Sequence, residues 1–273
     1  MKNKIIEVIT LIIVGICIFN IGNSLYHIYL WKKDSNEIKE EIDNIENIVE
    51  VKEKKDSTNT EVIEQEEIVE EINPYWAYMS MNMIEVDFYD LKEVNSDTAG
   101  WILVNGTNIN YPFVQAKDNK FYLNHTFNKK YNSAGWVFLD YRNKNDLSDK
   151  NNIIYAHGRI DKTMFGSLRN ALTNGWLDNK DNYVIKISTP YDNSMWQVFS
   201  VYHIKTTSDY LKIDFKSDES FLEFANMLKE RSAKDFNTTV SKNDQILTLS
   251  TCYSNEERVV IHAKLIKKER RTN

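Results

Sequence analysis

Cysteine is nearly absent from this sequence: there are two in 273 residues, Cys17 and Cys252. Cys17 lies inside an apolar N-terminal run, so Cys252 is the only thiol of the remaining chain, and no disulfide can form within it. Outside the cell an unpaired thiol is either buried and inert or kept for its reactivity. Excess positive charge is missing too. The formal net charge is −6 and no basic field stands out, which argues against nucleic acid as a partner. No cluster of His, Cys, Asp and Glu has metal-ligand spacing and no glycine-rich phosphate loop is present, so no metal and no other cofactor is expected. A small-x-small cleavage site is lacking after the apolar run, which weighs against a cleaved signal peptide.

The charge that is present is unevenly placed. Residues 34–73 hold 15 Asp or Glu against 4 Lys, a net of −11, whereas 1–33 carry +3 and 74–273 only +2. The acidity therefore belongs to a stalk, and the part beyond it is nearly neutral and long enough to bury a proper core. Residues 8–22, VITLIIVGICIFNIG, are strongly apolar, and 23–31 extend them to membrane-spanning length. Tyr26, Tyr29 and Trp31 have the composition of an interfacial aromatic belt. An uncleaved anchor is the preferred reading over a signal peptide. Lys2 and Lys4 before it balance Lys32 and Lys33 after it, so lysine placement alone leaves its orientation open. The organisation expected is an anchor over 1–33, an acidic, partly helical spacer over 34–73, and a folded domain over 74–273. Within the spacer Ile38, Ile42, Ile45 and Val49 form a helical stripe about three turns long. A short dimerising coiled coil would use that stripe, but the density of like charge favours a solvated spacer.

Beyond Pro74 the texture changes. Residues 75–95, rich in aromatics and Met, read as one or two amphipathic helices. Eight short β-rich runs follow, at 101–104, 109–114, 135–140, 152–157, 183–188, 195–205, 245–251 and 258–266. Helices are expected near 163–172 and at 218–231, where Phe221, Phe224, Ala225 and Leu228 make one apolar face. Many strands with few helices predict a mostly β protein, a closed or nearly closed barrel with helical decorations.

Cys252 ends the run ILTLSTC. Alternation puts Leu247 and Leu249 on the core-facing side, and Ile246, Thr248, Ser250 and Cys252 on the more polar one. In the next run, RVVIHAKLI, Val259, Ile261, Ala263 and Leu265 face the core, and Arg258 opens the strand on the polar side. A hairpin through YSNEE would return Arg258 beside Cys252. There a guanidinium lowers a thiol pKa and offers hydrogen bonds to a developing oxyanion; an edge arginine paired with Glu256 or Glu257 is the plainer alternative. Acyl transfer through sulfur also needs a proton carrier. His203 and His262 lie within predicted strands and read as structural, and His27 is at the membrane edge. His157, at the exit of NNIIYAH, and His125, in the polar loop YLNHTF, both qualify by type.

At this point the motifs are recognisable. TLSTC with the downstream Arg258 and VVIHAKL resembles the sortase signature, and IIYAHGRIDKTMFGSL resembles the catalytic-histidine segment of class B sortases, as does DTAGWILVNGTNINYPFVQAKDNKFYLNHTF. The similarity covers nearly all of 75–267, with the motifs in family order; papain-like enzymes carry Cys before His, and caspases a different Cys context. The resemblance implies a closed eight-stranded barrel with N-terminal helices and a long helix between late strands. It chooses His157 over His125. It implies that Cys252 is the nucleophile, His157 the acid and base, and Arg258 the oxyanion donor. The reaction implied is cleavage after Thr in a C-terminal sorting motif of the Asn-Pro-x-Thr type, followed by transfer to a peptidoglycan amine. The partners implied are surface proteins bearing that signal, a peptidoglycan precursor or cross-bridge amine, and the membrane holding the anchor, with the catalytic domain outside a Gram-positive cell. Asn119 and Leu123, Tyr210 and Leu211, and Ser250 resemble substrate-groove positions. Tyr253 stands where some relatives carry an acidic residue. A secreted cysteine peptidase that releases its acyl-enzyme to water would use the same trio, and a non-catalytic surface module would bury Cys252.

Overall fold

The alternating β-rich runs pair edge to edge until the sheet closes on itself. The structure is a computed structural model and describes residues 2–54, 75–252 and 256–271. In chain order the elements begin with helix α1 (Lys2–Ile48), strand β1 (Val51–Lys54), helix α2 (Tyr75–Met79), strand β2 (Met83–Val86) and helix α3 (Tyr89–Val94). Then come β3 (Thr98–Val104), β4 (Asn110–Val114), β5 (Phe138–Leu139), β6 (Asn151–His157), the short helix α4 (Asn174–Leu177) and β7 (Val184–Ser188). The chain finishes with β8 (Asp192–Lys205), α5 (Asp218–Glu230), β9 (Ile246–Cys252) and β10 (Glu257–Arg270). Strands β3 to β10 form a closed barrel in the order β10-β8-β7-β3-β4-β5-β6-β9. This is the eight-stranded, mostly β architecture expected from the sequence. Closure removes the exposed edges that an open sheet of this size would leave for aggregation.

The wall around β9 is packed on both sides. Leu247 and Leu249 enter the main core with Trp101, Phe113, Trp136 and Trp196, as the alternation predicts. The other face of β9 is also closed over, because α5 and the chain before it cover that side. Phe221, Phe224, Ala225 and Leu228 of α5 pack with Phe199, Tyr202, Tyr210, Ile246 and Val260 in a second cluster. A capping box at Ser217 and Ser220 starts α5 where the apolar face begins. The expected helix near 163–172 is a 3₁₀ segment, Gly166–Leu172. Residues 75–95 give two short helices with β2 between them.

The stalk region differs most from expectation. Residues 34–48 continue the apolar helix without a break and lie along the barrel. Ile38 and Ile45 are fully or nearly buried in the main core, with Ile42 and Val49 packed against it. Beyond them β1 pairs antiparallel with β2, from Val51 opposite Val86 to Lys54 opposite Met83. The stripe that reads as one face of a solvated spacer is thus covered by the chain's own barrel. Its acidic residues are used for docking: Glu41 accepts from the Asn128 amide at 2.6 Å, and Glu37 accepts from Asn132 at 3.1 Å. Burial pushes the Glu41 carboxyl above its usual pKa, against the hydrogen bonds from Asn128 and Thr126.

Candidate active site

Three neighbouring strands place the sequence's three strongest candidates in one row. β6 runs parallel to β9 with His157 opposite Cys252, and β10 runs antiparallel to β9 with Arg258 opposite Cys252. Cys252 is therefore the middle of a row whose neighbours stand one strand spacing away on each side, about 4.8 Å. The row lies where β6 and β9 end and β10 begins.

Beside the row is a groove of about 600 Å³. One wall carries Asn119 and Leu123, the other carries Thr206, Tyr210 and Leu211, and the floor is Phe138, Tyr155, Ser250 and Thr251, with His157 and Arg258 at the row. All five residues expected at the substrate groove, Asn119, Leu123, Tyr210, Leu211 and Ser250, line it. Tyr155, Thr206 and Thr251 join them without having stood out in the sequence. Tyr155 carries a usable signal: it stands two residues before His157 on the same strand, hence on the same face.

His157 is held from outside its own strand. Its Nε2 lies 2.7 Å from the Leu123 carbonyl oxygen, so in the neutral ring Nε2–H donates there and Nδ1 is the proton acceptor. That carbonyl also packs closely against Gly135. Gly135 has φ +60°, and a Cβ at that position would sit 2.5 Å from the Tyr122 carbonyl oxygen and 2.7 Å from that of Leu123. On the other side of His157 the chain makes a tight loop, closed by the Phe165 amide donating to the His157 carbonyl at 3.0 Å. Inside the loop Arg159 pairs with Asp161 at 3.1 Å. Burial would raise the Asp161 pKa, but donors from Arg159, Ser35 and Thr163 outweigh it and hold the carboxyl well below the usual range. Ser35 reaches this loop from α1, while Asp34 and Glu37 accept from Ser133 and Asn132. One helix thus touches both segments that position His157.

The groove walls are tied together by a buried carboxylate. Asp140 takes two bonds from the Arg142 side chain, Nε at 2.9 Å and Nη2 at 2.7 Å, one from the Arg142 amide at 3.0 Å, one from Asn119 Nδ2 at 2.9 Å and one from the Tyr155 hydroxyl at 3.0 Å. Burial opposes its ionisation, yet the Arg142 and Asn119 bonds prevail and the carboxyl stays below its usual pKa. Arg142 also donates to the Leu211 carbonyl at 3.2 Å, joining this network to the opposite wall. With its amide oxygen accepting from the Tyr141 N–H at 3.0 Å, Asn119 has both ends engaged inside the protein. Ser250 Oγ is within 2.9 Å of the Tyr210 hydroxyl.

The remaining histidines are occupied elsewhere. His125 is outside the groove lining; its Nδ1 is 2.8 Å from the Phe121 carbonyl and its ring stacks on Phe121 at 4.0 Å. His262 is wholly buried between Tyr202 Oη at 2.8 Å and Thr248 Oγ1 at 2.9 Å. Burial, with nearby Arg231, pushes its pKa down to about 3, so it is neutral. His203 pairs with Glu257 at 3.2 Å. Tyr253 lies outside the described residues. Among the described residues no group of three or more His, Cys, Asp or Glu is placed to hold a metal.

A family model described as "Sortase domain" matches residues 102–266. Sortase B of Listeria monocytogenes is 36% identical over 187 residues, 66% of this chain and 74% of that protein. A Staphylococcus aureus sortase B–substrate complex superposes with a TM-score of 0.62 at 35% identity, covering 66% of this chain and 84% of the other. A sortase B complexed with triglycine gives a TM-score of 0.62 at 34% identity, covering 66% and 85%. These matches agree with the closed barrel: the chain belongs to the sortase family of cysteine transpeptidases, and its relatives place it in the class B branch.

Proposed function

We propose that this enzyme cuts a C-terminal sorting motif of the Asn-Pro-x-Thr type after Thr and joins the freed carboxyl to a peptidoglycan amine. The observation that carries the assignment of residues is the row His157, Cys252, Arg258 across β6, β9 and β10. The Cys252 thiolate attacks the Thr carbonyl carbon, and Arg258 donates to the oxyanion as it forms. The C–N bond then breaks, and the leaving amine takes its proton from the imidazolium of His157. In the second half the neutral His157 removes a proton from the incoming amine, which attacks the thioester; the new amide forms and the thiolate leaves. The Leu123 carbonyl favours one tautomer and holds the ring in place through both halves.

Asn119, Leu123, Tyr210, Leu211 and Ser250 form the walls and floor against which the sorting peptide lies. Asn119 acts mainly as a rigid wall, because both ends of its amide already have partners. A sortase B relative solved with substrate and another with triglycine support a peptide substrate and an amine acceptor. Residues 1–33 anchor the protein in the cell membrane, since α1 is long and apolar enough to cross it, and the catalytic domain from 74 onward works outside. The test supplies a fluorescent Asn-Pro-x-Thr-type peptide with triglycine or diaminopimelate and resolves products by mass spectrometry. The expected product is an amide to the added amine, absent with Cys252→Ala. Hydrolysed peptide alone, at every amine concentration, would make the chain a peptidase.

A further inference from the structure

The anchor helix and the catalytic barrel meet at a defined depth. From Ile5 to Trp31 the helix rises about 40 Å, which matches a hydrocarbon core together with its two headgroup layers. Trp31, followed by Lys32 and Lys33, therefore lies in the headgroup layer on the catalytic side. The loop after His157 touches the helix at that level: the Arg159 guanidinium is 5.8 Å from the Trp31 ring centre, and Ser35 donates to Asp161. A second loop arrives at the same height, where Asp34 accepts from Ser133 and its carbonyl from Asn132.

Both loops carry large side chains that stand mostly in solvent, although the Tyr131 ring also meets His125 edge-on at 6.0 Å. Ile160 is 80% exposed, between two residues buried in the Arg159–Asp161 pair, and Tyr131 is 73% exposed beside the cleft that holds Lys33 and Asp34. Lys130 and Lys162, both exposed, flank them. Aliphatic and aromatic tips beside lysines, at the depth of an interfacial tryptophan, are the composition of a membrane-contact surface. The two loops join the helix where it leaves the bilayer, so this surface continues the anchor's own lipid contact.

We propose that Ile160 and Tyr131 insert into the lipid headgroup layer and make the barrel rest on the bilayer at the His157 end. The barrel is then seated at a fixed height, with the mouth of the groove close to the membrane surface. This inference rests on the anchor reading but not on the reaction chemistry. It extends the function of the loop after His157 from positioning that residue to contacting lipid.

The full chain, carrying Cys17→Ser and Cys252→Ala, is placed in phosphatidylglycerol–phosphatidylcholine nanodiscs. Nitroxide labels are attached at Ile160→Cys, Tyr131→Cys, Ile12→Cys and Tyr191→Cys, one at a time. Tyr191 is the control, since its carbonyl accepts from Arg271, which also binds Val86 of β2. That region follows the far end of α1, about 25 Å along the helix from Trp31. Power saturation with oxygen and a water-soluble nickel chelate then reads immersion. Position 12 is expected deep in the hydrocarbon, and 160 and 131 at least three-fold less accessible to nickel than 191. Accessibility at 160 and 131 equal to that at 191, with 12 still deep, overturns the contact and leaves the anchor intact. Water exposure at position 12 overturns both.

Discussion

Arg258 stands opposite Cys252 and His157 stands on its other side, so each has a different fate on substitution. Replacing Arg258 by Lys keeps the charge but removes the planar fork of donors. It should lower kcat/KM about 10²-fold, in line with loss of one oxyanion donor. Cys252→Ala and His157→Ala should both fall to background, while His125→Ala should keep most of its activity, because that ring is stacked on Phe121 outside the groove. Steady-state assays on folded variants check all four; an inactive His125→Ala beside an active His157→Ala would contradict the choice of base. Gly135 is a subtler test of the same geometry. A methyl there meets two carbonyls, including the one that holds His157, and the backbone is left-handed. Gly135→Ala should cost about 1 kcal/mol of stability from the strained φ. It should also lower kcat, because the added methyl meets the Leu123 carbonyl that accepts from His157. A wild-type kcat in the folded variant would mean that this carbonyl does not position the imidazole.

At the scale of elements, the docking of α1 has the clearest measurable consequence. Ile38 is fully buried against the barrel, so Ile38→Ala in the full chain should destabilise by about 2–5 kcal/mol. Guanidinium unfolding in detergent, followed by tryptophan fluorescence, checks this; a midpoint unchanged from wild type would show the helix extension to be a passive stalk. The sequence contained this stripe but not its partner. Ile38, Ile42, Ile45 and Val49 are legible as a helical face, while what covers them is a tertiary matter, and abundant acidic residues suggested water. Their actual role is local: Glu41 and Glu37 accept from Asn128 and Asn132 on the neighbouring loop. The eight barrel strands were legible because turn residues separate their alternating runs. Residues 83–86 were not, since a four-residue strand between two short helices has too little periodicity to declare itself. The trio was legible as residue types at strand ends. The Asp140–Arg142 network was not, because it binds residues far apart in sequence into one wall. Neither was the covered outer face of β9, for Thr248 and Ser250 look solvent-facing until α5 is laid over them.

Taken whole, the molecule is a closed barrel whose β8–β9–β10 wall is stitched by a neutral histidine. His262 is buried between Tyr202 on β8 and Thr248 on β9. Its folded pKa, about 3, lies below the usual 6.5. A depressed pKa means the unfolded chain binds the proton more readily. The stability this residue contributes is therefore complete above pH 6.5 and is lost as pH falls toward 3. Unfolding midpoints between about pH 7 and pH 4 should decline in the wild type and decline less in His262→Gln, measured by chemical denaturation; parallel curves would contradict a neutral buried role. On β9 of the same barrel Cys252 stands between His157 on β6 and Arg258 on β10, and the central claim is that acyl transfer passes through this sulfur. The most direct measurement is the intact mass of the enzyme mixed with an Asn-Pro-x-Thr-type peptide in the absence of amine. The account predicts an adduct equal to the acyl fragment, mapped to Cys252, released by hydroxylamine and converted to amide product when triglycine is added. Peptide cleavage at full rate with no adduct at Cys252, or in Cys252→Ala, would contradict it.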